Sequence, residues 1–230
     1  MAPGHVAIIL DGNRRYSAKK GVPLIKGHQE GARKIGDVLK WLRELGVSQA
    51  TLYTLSTENL RRNPGEVAAL MEIIRQAVEK AKGDRRIEQE QTRFRFIGRL
   101  DLLPADIRQG MEQLMKKTKD FGKFTVNFAV AYGSRDEITS AARQIAKDAA
   151  AGKLSPEQVT EQMLTERLYL PDEPDLLIRP GGERRLSNFL LWQLSYTELV
   201  FLDKLWPELT KEDIEACISE YERRERRKGK

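Results

Sequence analysis

The stretch VAIILDGNRRY, residues 6–16, reads as a strand that ends in a sharp turn and continues into a helix. Its run of five apolar residues favours a strand buried on both faces of a parallel sheet. Gly12 permits a tight turn after Asp11, and Arg14 and Arg15 then bring positive charge to a helix N-terminus, where anions are favoured. Because Asp11 would repel a bare phosphate, the stretch indicates a cation such as Mg²⁺ between acid and phosphate. A plain turn before a solvated basic helix is the alternative, which the stretch alone leaves open.

Five more short apolar segments follow along the chain, and helical patterns separate them. The predicted strands span residues 5–10, 50–56, 94–98, 124–132, 174–179 and 199–202. Between the first two, Ile35, Val38 and Leu42 share one helical face. Strands that alternate with helices pair in parallel, so the sequence predicts an α/β fold with a central, mostly parallel six-stranded sheet flanked by helices. No linker-like tract interrupts residues 1–230, which predicts a single domain.

The composition points to an anionic partner and to a reducing compartment. The 230 residues carry a formal net charge of +6, which favours binding to phosphates, nucleic acid or a membrane surface. A single cysteine, Cys217, excludes an internal disulfide framework. The sequence shows no signal-like leader and no run of 18 apolar residues, so we expect a cytoplasmic protein and leave membrane association open.

Polar side chains also follow the second predicted strand. Ligands of open parallel sheets bind beyond the carboxyl ends of the strands, and the segment TLSTENLRR at 54–62 lies at such an end. Its two arginines favour an anion, whereas Glu58 or Asn59 alternatively caps the helix predicted to begin near Pro64. His28, near another predicted helix start, is either a cap or a proton donor to a leaving phosphate.

The most informative segment is RPGGERRLSNFLLWQLSYTELVF, residues 179–201. Arg179, Arg185 and Ser187 lie within nine residues, and each charge-assisted hydrogen bond to a phosphate is worth about 1.5–3 kcal/mol. These groups could hold a diphosphate, although Arg–Glu pairs that tie down a loop are the plainer alternative. The apolar run 189–194 predicts a helix. No GxxxxGK[ST] or GxGxxG motif is present, which argues against a nucleotide-binding fold.

Four segments together resemble the cis-prenyltransferase family. They are HVAIILDGNRRY (5–16), GH (27–28), LYTLSTENLRR (52–62) and IRPGGERRLSNFLLWQLSYTELVF (178–201), and the resemblance extends to RERRKG at 224–229. Members of this family elongate an allylic prenyl diphosphate with isopentenyl diphosphate, with Mg²⁺ as cofactor, to long Z-polyprenyl diphosphates. The resemblance implies this activity, a homodimer, and a hydrophobic tunnel between sheet and helices for the growing chain. It also implies that the basic tail reaches the active site of a neighbouring subunit.

The resemblance assigns roles to individual residues. It implies that Asp11 binds Mg²⁺, with Glu198 beside the metal. Asn59, Arg62 and His28 would join Asp11 as catalytic residues, although a departing diphosphate, rather than Asn59, is an alternative acceptor for the proton. The implied substrate-binding positions are Gly12, Asn13, Arg14, Arg15, Tyr16, Leu24, His28, Ser56, Thr57, Glu58, Leu60, Arg62, Arg179, Arg185, Leu186 and Ser187.

Two positions depart from the family's pattern. Leu24 stands where members usually have an arginine four residues before the histidine. A contact to the allylic diphosphate is therefore missing, and Arg14, Lys20 or Lys26 would have to replace it. Leu60 stands where bacterial members have a tryptophan. Both departures leave the preferred allylic substrate and the product length open.

Other functions fit the sequence less well. A short-chain or atypical member of the family and a subunit of a heteromeric prenyltransferase are alternatives. Non-catalytic subunits typically lose the metal-binding aspartate and the phosphate-binding arginines, however, and this chain keeps both. An aspartyl phosphatase needs a second aspartate where Asn13 stands. Without an aromatic platform or a known motif, nucleic acid is not an expected partner, whereas a peripheral membrane contact at product release is a further expectation.

Overall fold

A six-stranded parallel sheet forms the centre of the computed structural model, which describes residues 2–224. The strands are β1 (His5–Ile9), β2 (Gln49–Tyr53), β3 (Thr92–Ile97), β4 (Phe124–Ala129), β5 (Leu176–Arg179) and β6 (Glu198–Phe201). They lie in the order β3-β4-β2-β1-β5-β6, and each pair of neighbours is parallel. The predicted α/β class and all six predicted strands are therefore confirmed. The strand predicted over 124–132 ends three residues earlier, and Tyr132 then forms an isolated bridge with Ser56.

Helices cover both faces of the sheet. They are α1 (Asn13–Lys20), α2 (Leu24–Glu44), α3 (Pro64–Gly83), α4 (Arg85–Gln89), α5 (Ala105–Thr118), α6 (Ser134–Ala150), α7 (Glu161–Glu166) and α8 (Lys211–Arg223). Short 3₁₀ helices span Glu58–Arg61, Leu100–Leu102, Pro156–Gln158 and Trp206–Glu208. At the start of α8, the amide and the hydroxyl of Thr210 both donate to the carboxylate of Asp213, at 2.7 Å and 3.0 Å.

Alternation along the strands divides the core between the two faces. On one face Val6 and Ile8 pack with Val38 and Leu42 of α2 and with residues of α8. On the other face Ala7 packs in a second cluster, which includes Phe189, Leu190 and Leu194 from the segment after β5. Because both faces are covered, the central strand β1 is apolar without interruption over residues 6–9. This explains why its sequence shows a continuous apolar run rather than an alternating pattern.

The apolar run 189–194 does not form the helix that its spacing predicts. It is a series of turns, preceded by Ser187 and Asn188 with φ of 52° and 63° and containing Leu190 with φ of 44°. A right-handed helix requires negative φ, so these residues exclude one. The prediction was wrong because hydrophobic spacing carries no information about a left-handed backbone.

Close packing of α1 against α2 depends on Gly27. A Cβ atom at this position would lie 2.2 Å from the carbonyl oxygen of Asn13 and 2.3 Å from Oγ of Ser17. Ser17 Oγ also accepts a hydrogen bond from the Gly27 amide at 3.0 Å. The glycine therefore lets α2 approach the segment that follows β1, and so positions His28 beside it.

We expect Gly27→Ala to lower the free energy of unfolding by about 1–3 kcal/mol, because the added methyl group must push two backbones apart. Gly36→Ala is the matched control on the same helix. A Cβ atom there meets nothing within 4 Å, so the gain in helix propensity should stabilise the chain by about 0.5–1 kcal/mol. Urea unfolding of both variants checks the prediction, and equal stabilities for the two would contradict it.

No helix within residues 2–224 is long and apolar enough to cross a membrane. The tail RERRKG at 224–229, which was expected to reach a neighbouring subunit, lies outside the described residues except for Arg224.

Candidate active site

A polar cleft of about 490 Å³ opens at the carboxyl ends of β1, β2 and β5. The structure brings together in it many of the residues expected at the site, from four separate segments of the chain. Those residues are Asp11, Gly12, Asn13, Arg14, Arg15, His28, Ser56, Asn59, Arg62, Arg179, Arg185 and Ser187. Ile9, Leu10, Tyr53, Thr54, Leu70 and Glu183 complete its lining. Parallel strands carry these segments to one edge of the sheet, where ligands of such folds bind.

Two arginines hold the carboxylate of Asp11. Arg15 donates to Oδ1 at 3.0 Å, and Arg179 donates to Oδ2 at 2.8 Å. Arg15 also donates to the carbonyl oxygen of Gly181, whose φ is 98°. This φ is one that other residues rarely adopt, and a Cβ atom at Gly181 would lie 3.3 Å from the carbonyl oxygen of Asp11, so glycine favours this close approach of the loop. The acid is thus fixed between the ends of β1 and β5.

The N-terminus of α1 forms one wall of the cleft. Gly12, at its N-cap, has a φ of 115°, and no side chain caps the first turn. Uncapped amides and the helix dipole favour an anion. Arg14 and Arg15 are exposed beside them. This wall is suited to bind a phosphate group.

Arg179 anchors the opposite wall and is almost fully buried, with 3% of its surface exposed. Besides Asp11, its guanidinium donates to Oγ of Ser187 at 2.9 Å and to the carbonyl oxygen of Arg185. Tyr53 contributes from the end of β2, since its hydroxyl donates to the carbonyl oxygen of Ser187 at 3.3 Å. These contacts hold Arg185 and Ser187 at the cleft.

The loop after β2 places Ser56 and Asn59 in a reciprocal pair. The Ser56 amide donates to Oδ1 of Asn59 at 3.2 Å, and the Asn59 amide donates to Oγ of Ser56 at 3.1 Å. The expectation that Glu58 or Asn59 caps α3 is wrong, because Asn63 is the N-cap and accepts from the Gly65 amide at 2.8 Å. Asn59 therefore belongs to the cleft.

His28 lies in the second turn of α2, so it is not a helix cap. Its Nε2 atom is 3.5 Å from Oε1 of Glu66, which also accepts a hydrogen bond from Arg62 at 3.0 Å. Burial lowers the pKa of His28, although Glu66 opposes this effect. The imidazole is thus neutral near pH 7 and can donate a hydrogen bond to a phosphate oxygen.

Glu66 was not expected at the site from its sequence position. It follows Asn63 by three residues, a spacing that indicates a capping box. The structure instead turns its carboxylate towards Arg62 and His28. Its position four residues after Arg62, which places the two side chains on neighbouring turns, was the sequence signal that could have found it.

An apolar cavity of about 130 Å³ adjoins the polar cleft. It lies between the sheet and helices α2, α3 and α5, where the hydrophobic tunnel was expected. Side chains that line it include Ile35, Leu55, Ile73, Ile74, Phe94, Phe96, Met111, Leu114 and Phe128. The cleft and the cavity share Leu10, Asn13, His28, Thr54 and Leu70. A ligand with an anionic head and a hydrocarbon tail could therefore occupy both.

Several expected site residues lie outside the polar cleft. Thr57, Glu58 and Leu60 line a neighbouring cleft, on the other side of the loop after β2. Leu186 packs against the second core cluster. Tyr16 and Leu24, in the first turns of α1 and α2, line neither the polar cleft nor the apolar cavity.

The structure does not bring Glu198 together with Asp11 within one chain. Leu176 pairs with both Val6 and Glu198, so Glu198 is level with the second residue of β1, whereas Asp11 follows the last. At about 3.3 Å for each residue, more than about 10 Å separates them along the strands. The Glu198 carboxylate instead accepts a hydrogen bond from Arg224 at 2.7 Å. One metal ion cannot bind both carboxylates of the same chain.

The donor set of the cleft fits a Mg²⁺ ion that is held together with a substrate. Within residues 2–224, no cluster of three or more His, Cys, Asp or Glu side chains could hold a metal alone. Mg²⁺ keeps several waters and is usually bound by one or two carboxylates and by substrate phosphates. Asp11 supplies such a carboxylate beside the phosphate-binding wall of α1.

Comparison with known proteins assigns the family. The family model described as "Putative undecaprenyl diphosphate synthase" matches residues 9–229. This chain belongs to the cis-prenyltransferase family. The sequence of this cis-prenyltransferase is 44% identical to the isoprenyl transferase of Thermotoga maritima over 99% of this chain and 97% of that protein. It is an enzyme that transfers prenyl groups, as the sequence resemblance implied.

Two further relatives are described with different allylic diphosphates. The cis-prenyltransferase is 42% identical to a tritrans,polycis-undecaprenyl-diphosphate synthase (geranylgeranyl-diphosphate specific) of Pyrococcus abyssi, over 99% of this chain and 87% of that protein. It also matches the crystal structure of lavandulyl diphosphate synthase from Lavandula x intermedia in complex with dimethylallyl diphosphate. That match has a TM-score of 0.95 and 34% identity, and it covers 100% of this chain and 99% of the other.

Proposed function

We propose that this chain is a Mg²⁺-dependent cis-prenyltransferase that condenses isopentenyl diphosphate with an allylic prenyl diphosphate to a long Z-polyprenyl diphosphate, a precursor of glycosyl carrier lipids. The observation that carries the proposal is the shared wall of the polar cleft and the apolar cavity. Each substrate and product has a diphosphate head and a hydrocarbon chain. Molecules of this shape require an anion-binding site that is continuous with an apolar cavity.

The two walls of the cleft would divide the two diphosphates between them. The N-terminus of α1, with Arg14 and Arg15, suits the allylic diphosphate that leaves. Arg185 and Ser187, which Arg179 holds in place, suit the diphosphate of isopentenyl diphosphate. The allylic chain would then extend along the apolar cavity. This arrangement fixes the reacting carbons near each other, which supplies a large part of the rate acceleration.

In the reaction, the bond between the allylic carbon and its diphosphate breaks as isopentenyl diphosphate supplies the electron pair of the new carbon–carbon bond. A proton then leaves the condensed product and forms the new double bond. Asn59 and the departed diphosphate are both candidates to receive that proton. Asp11 would hold Mg²⁺, which offsets the negative charge that develops on the leaving diphosphate. His28 would donate a hydrogen bond to that group.

The preferred allylic substrate in our proposal is geranylgeranyl diphosphate, since the Pyrococcus abyssi relative is specific for it. Arg14 lines the cleft, whereas Leu24 and the two nearby lysines do not. Arg14 is therefore the residue that compensates for the arginine absent at position 24. We further propose that the enzyme is a cytoplasmic homodimer that contacts the membrane when product is released. Binding of Glu198 to the metal requires the second subunit of that dimer.

A short-chain product is the second candidate. The apolar cavity measures about 130 Å³, and lavandulyl diphosphate synthase shares the fold. Product length distinguishes the two candidates directly.

The test is an elongation assay with the purified chain, Mg²⁺ and radiolabelled isopentenyl diphosphate. Dimethylallyl, geranyl, farnesyl and geranylgeranyl diphosphate serve as separate primers, and mass spectrometry measures the length of each product. We expect long polyprenyl diphosphates, formed fastest from geranylgeranyl diphosphate, and no product when EDTA removes Mg²⁺. Failure of every primer to incorporate label would overturn the proposed activity of the chain alone, and activity in EDTA would overturn the metal requirement.

A further inference from the structure

The segment after β5 that carries Ser187 has a strained backbone held in place by α6. Ser187, Asn188 and Leu190 all have positive φ, which is uncommon for residues other than glycine. The N-terminus of α6 holds this segment. The Ser134 amide donates to the Asn188 carbonyl oxygen at 2.8 Å, and the Leu191 amide donates to Oγ of Ser134 at 2.9 Å. Backbone strain of this kind persists only where the surroundings over-determine it.

The side chain of Asn188 connects two parts of the protein. Its Oδ1 atom accepts from the Arg135 amide at 2.9 Å, which adds to the attachment to α6. Its Nδ2 atom donates to Oε1 of Glu58 at 2.9 Å. Glu58 belongs to the loop after β2, which carries Ser56, Asn59 and Arg62 into the cleft. Asn188 thus connects the two loops of the site. Its own loop, which carries Arg185 and Ser187, is attached to α6, and its side-chain amide binds the loop after β2 through Glu58.

The surroundings of Asn188 are built for this contact. A Cβ atom at Gly133 would lie 2.8 Å from Nδ2 of Asn188 and 2.8 Å from Oγ1 of Thr57. The glycine therefore leaves room for the two loops to meet over the start of α6. Desolvation raises the pKa of Glu58, but hydrogen bonds from its own backbone, Asn188, Ser56 and Thr57 together hold it below its ordinary value. Glu58 is thus an ionised acceptor for the Asn188 amide.

We propose that Asn188 is a positioning residue that fixes the loop of Ser56–Arg62 against the loop of Arg185 and Ser187. The inference rests on the proposed function, in which these two loops contact different parts of the reacting pair. Neither loop needs the other to bind its own ligand groups. The two loops must keep a fixed relative position, however, so that the reacting carbons of the two substrates lie close enough to form a bond. A misplacement of about 1 Å can cost about 100-fold in rate.

Asn188→Asp isolates the contact. Aspartate accepts from the Arg135 amide as asparagine does and tolerates positive φ, but it repels Glu58. We expect kcat to fall about 10- to 100-fold, while the KM values for both diphosphates change less than about threefold and the melting temperature stays within a few degrees. A residue that only stabilised the fold would instead lower the melting temperature and leave kcat of the folded enzyme unchanged.

The matched control and the rescue use the same chemical change. Asn63→Asp should leave kcat unchanged, because Asn63 acts only as an acceptor at the N-cap of α3. In Glu58→Gln/Asn188→Asp the donor and the acceptor are exchanged, so the hydrogen bond can form again. We therefore expect Asn188→Asp to lower kcat less than about threefold when it is introduced into the Glu58→Gln variant. Equal losses in both backgrounds, or an unchanged kcat in the single variant, would overturn the inference.

Hydrogen exchange of the ligand-free protein tests the link without catalysis. We expect amides of residues 56–62 to exchange about tenfold faster in Asn188→Asp than in the native chain, and the double variant to restore their protection. Unchanged exchange would overturn the inference even if the elongation assay succeeds. If that assay fails while exchange responds as expected, the proposed function is wrong but the link between the loops stands.

Discussion

Asp11→Asn is expected to lower kcat about 10²- to 10³-fold, the usual cost of removing one preorganised charge from an active site. Asparagine has nearly the same shape and keeps an oxygen that can accept from Arg179, but it loses the negative charge that would bind the cation. Steady-state rates at increasing Mg²⁺ concentration check this. The variant should require more Mg²⁺ than the native enzyme and still fail to reach its rate.

Stability must be measured beside the rates, because Arg179 is buried and loses its countercharge in this variant. Asp11 keeps about a quarter of its side-chain surface exposed, so water offsets part of that loss. We expect a decrease in the free energy of unfolding of about 1–3 kcal/mol. Asp37→Asn is the control, since Asp37 forms an exposed ion pair with Arg33 on α2 and its loss should not change kcat. A near-native kcat in Asp11→Asn would contradict the metal-binding role.

Arg179→Lys is expected to raise the KM for isopentenyl diphosphate about 10- to 100-fold, equivalent to about 1.4 to 2.8 kcal/mol. The guanidinium of Arg179 donates at once to Asp11, Ser187 and the backbone of Arg185. Lysine keeps the charge but has no planar fork, so it cannot reach all three acceptors. The wall that carries Arg185 and Ser187 should therefore lose its geometry.

The two KM values distinguish this role from a general loss of structure. The KM for the allylic diphosphate should change less than about threefold, because the N-terminus of α1 is intact. Arg33→Lys, which alters an exposed arginine on α2, should change neither value. If Arg179→Lys raised both KM values equally, Arg179 would not be specific to the isopentenyl diphosphate wall.

The sheet was predictable because parallel strands buried on both faces read as nearly continuous apolar runs. Residues 6–10 and 176–178 show this directly, since each apolar run ends at a charged residue that the structure places in the cleft. The turn segment 189–194 was not predictable, because its apolar spacing satisfies a helical pattern while its backbone is left-handed at three positions in and beside it. Hydrophobic periodicity indicates which side chains are buried, but it does not indicate the backbone conformation of the segment that carries them.

Contacts between segments that are far apart in the sequence were also not predictable. Glu66 has the spacing of a helix cap but faces His28, and Asn188 lies 130 positions from Glu58, with which it shares a hydrogen bond. Neither contact can be predicted from the sequence around these residues. Both depend on where α3 and α6 begin relative to the sheet edge.

The sequence by itself determined the strands, the helices between them, and the acid and arginines that follow β1 and β5. Only the tertiary structure decided which of these groups meet. The order β3-β4-β2-β1-β5-β6 makes β1 and β5 neighbours, so Asp11 and Arg179 form an ion pair at 2.8 Å. The same parallel order sends Glu198, at the start of β6, to the opposite edge of the sheet. A strand's direction and neighbours follow from long-range packing, and packing is settled only when the whole chain has folded.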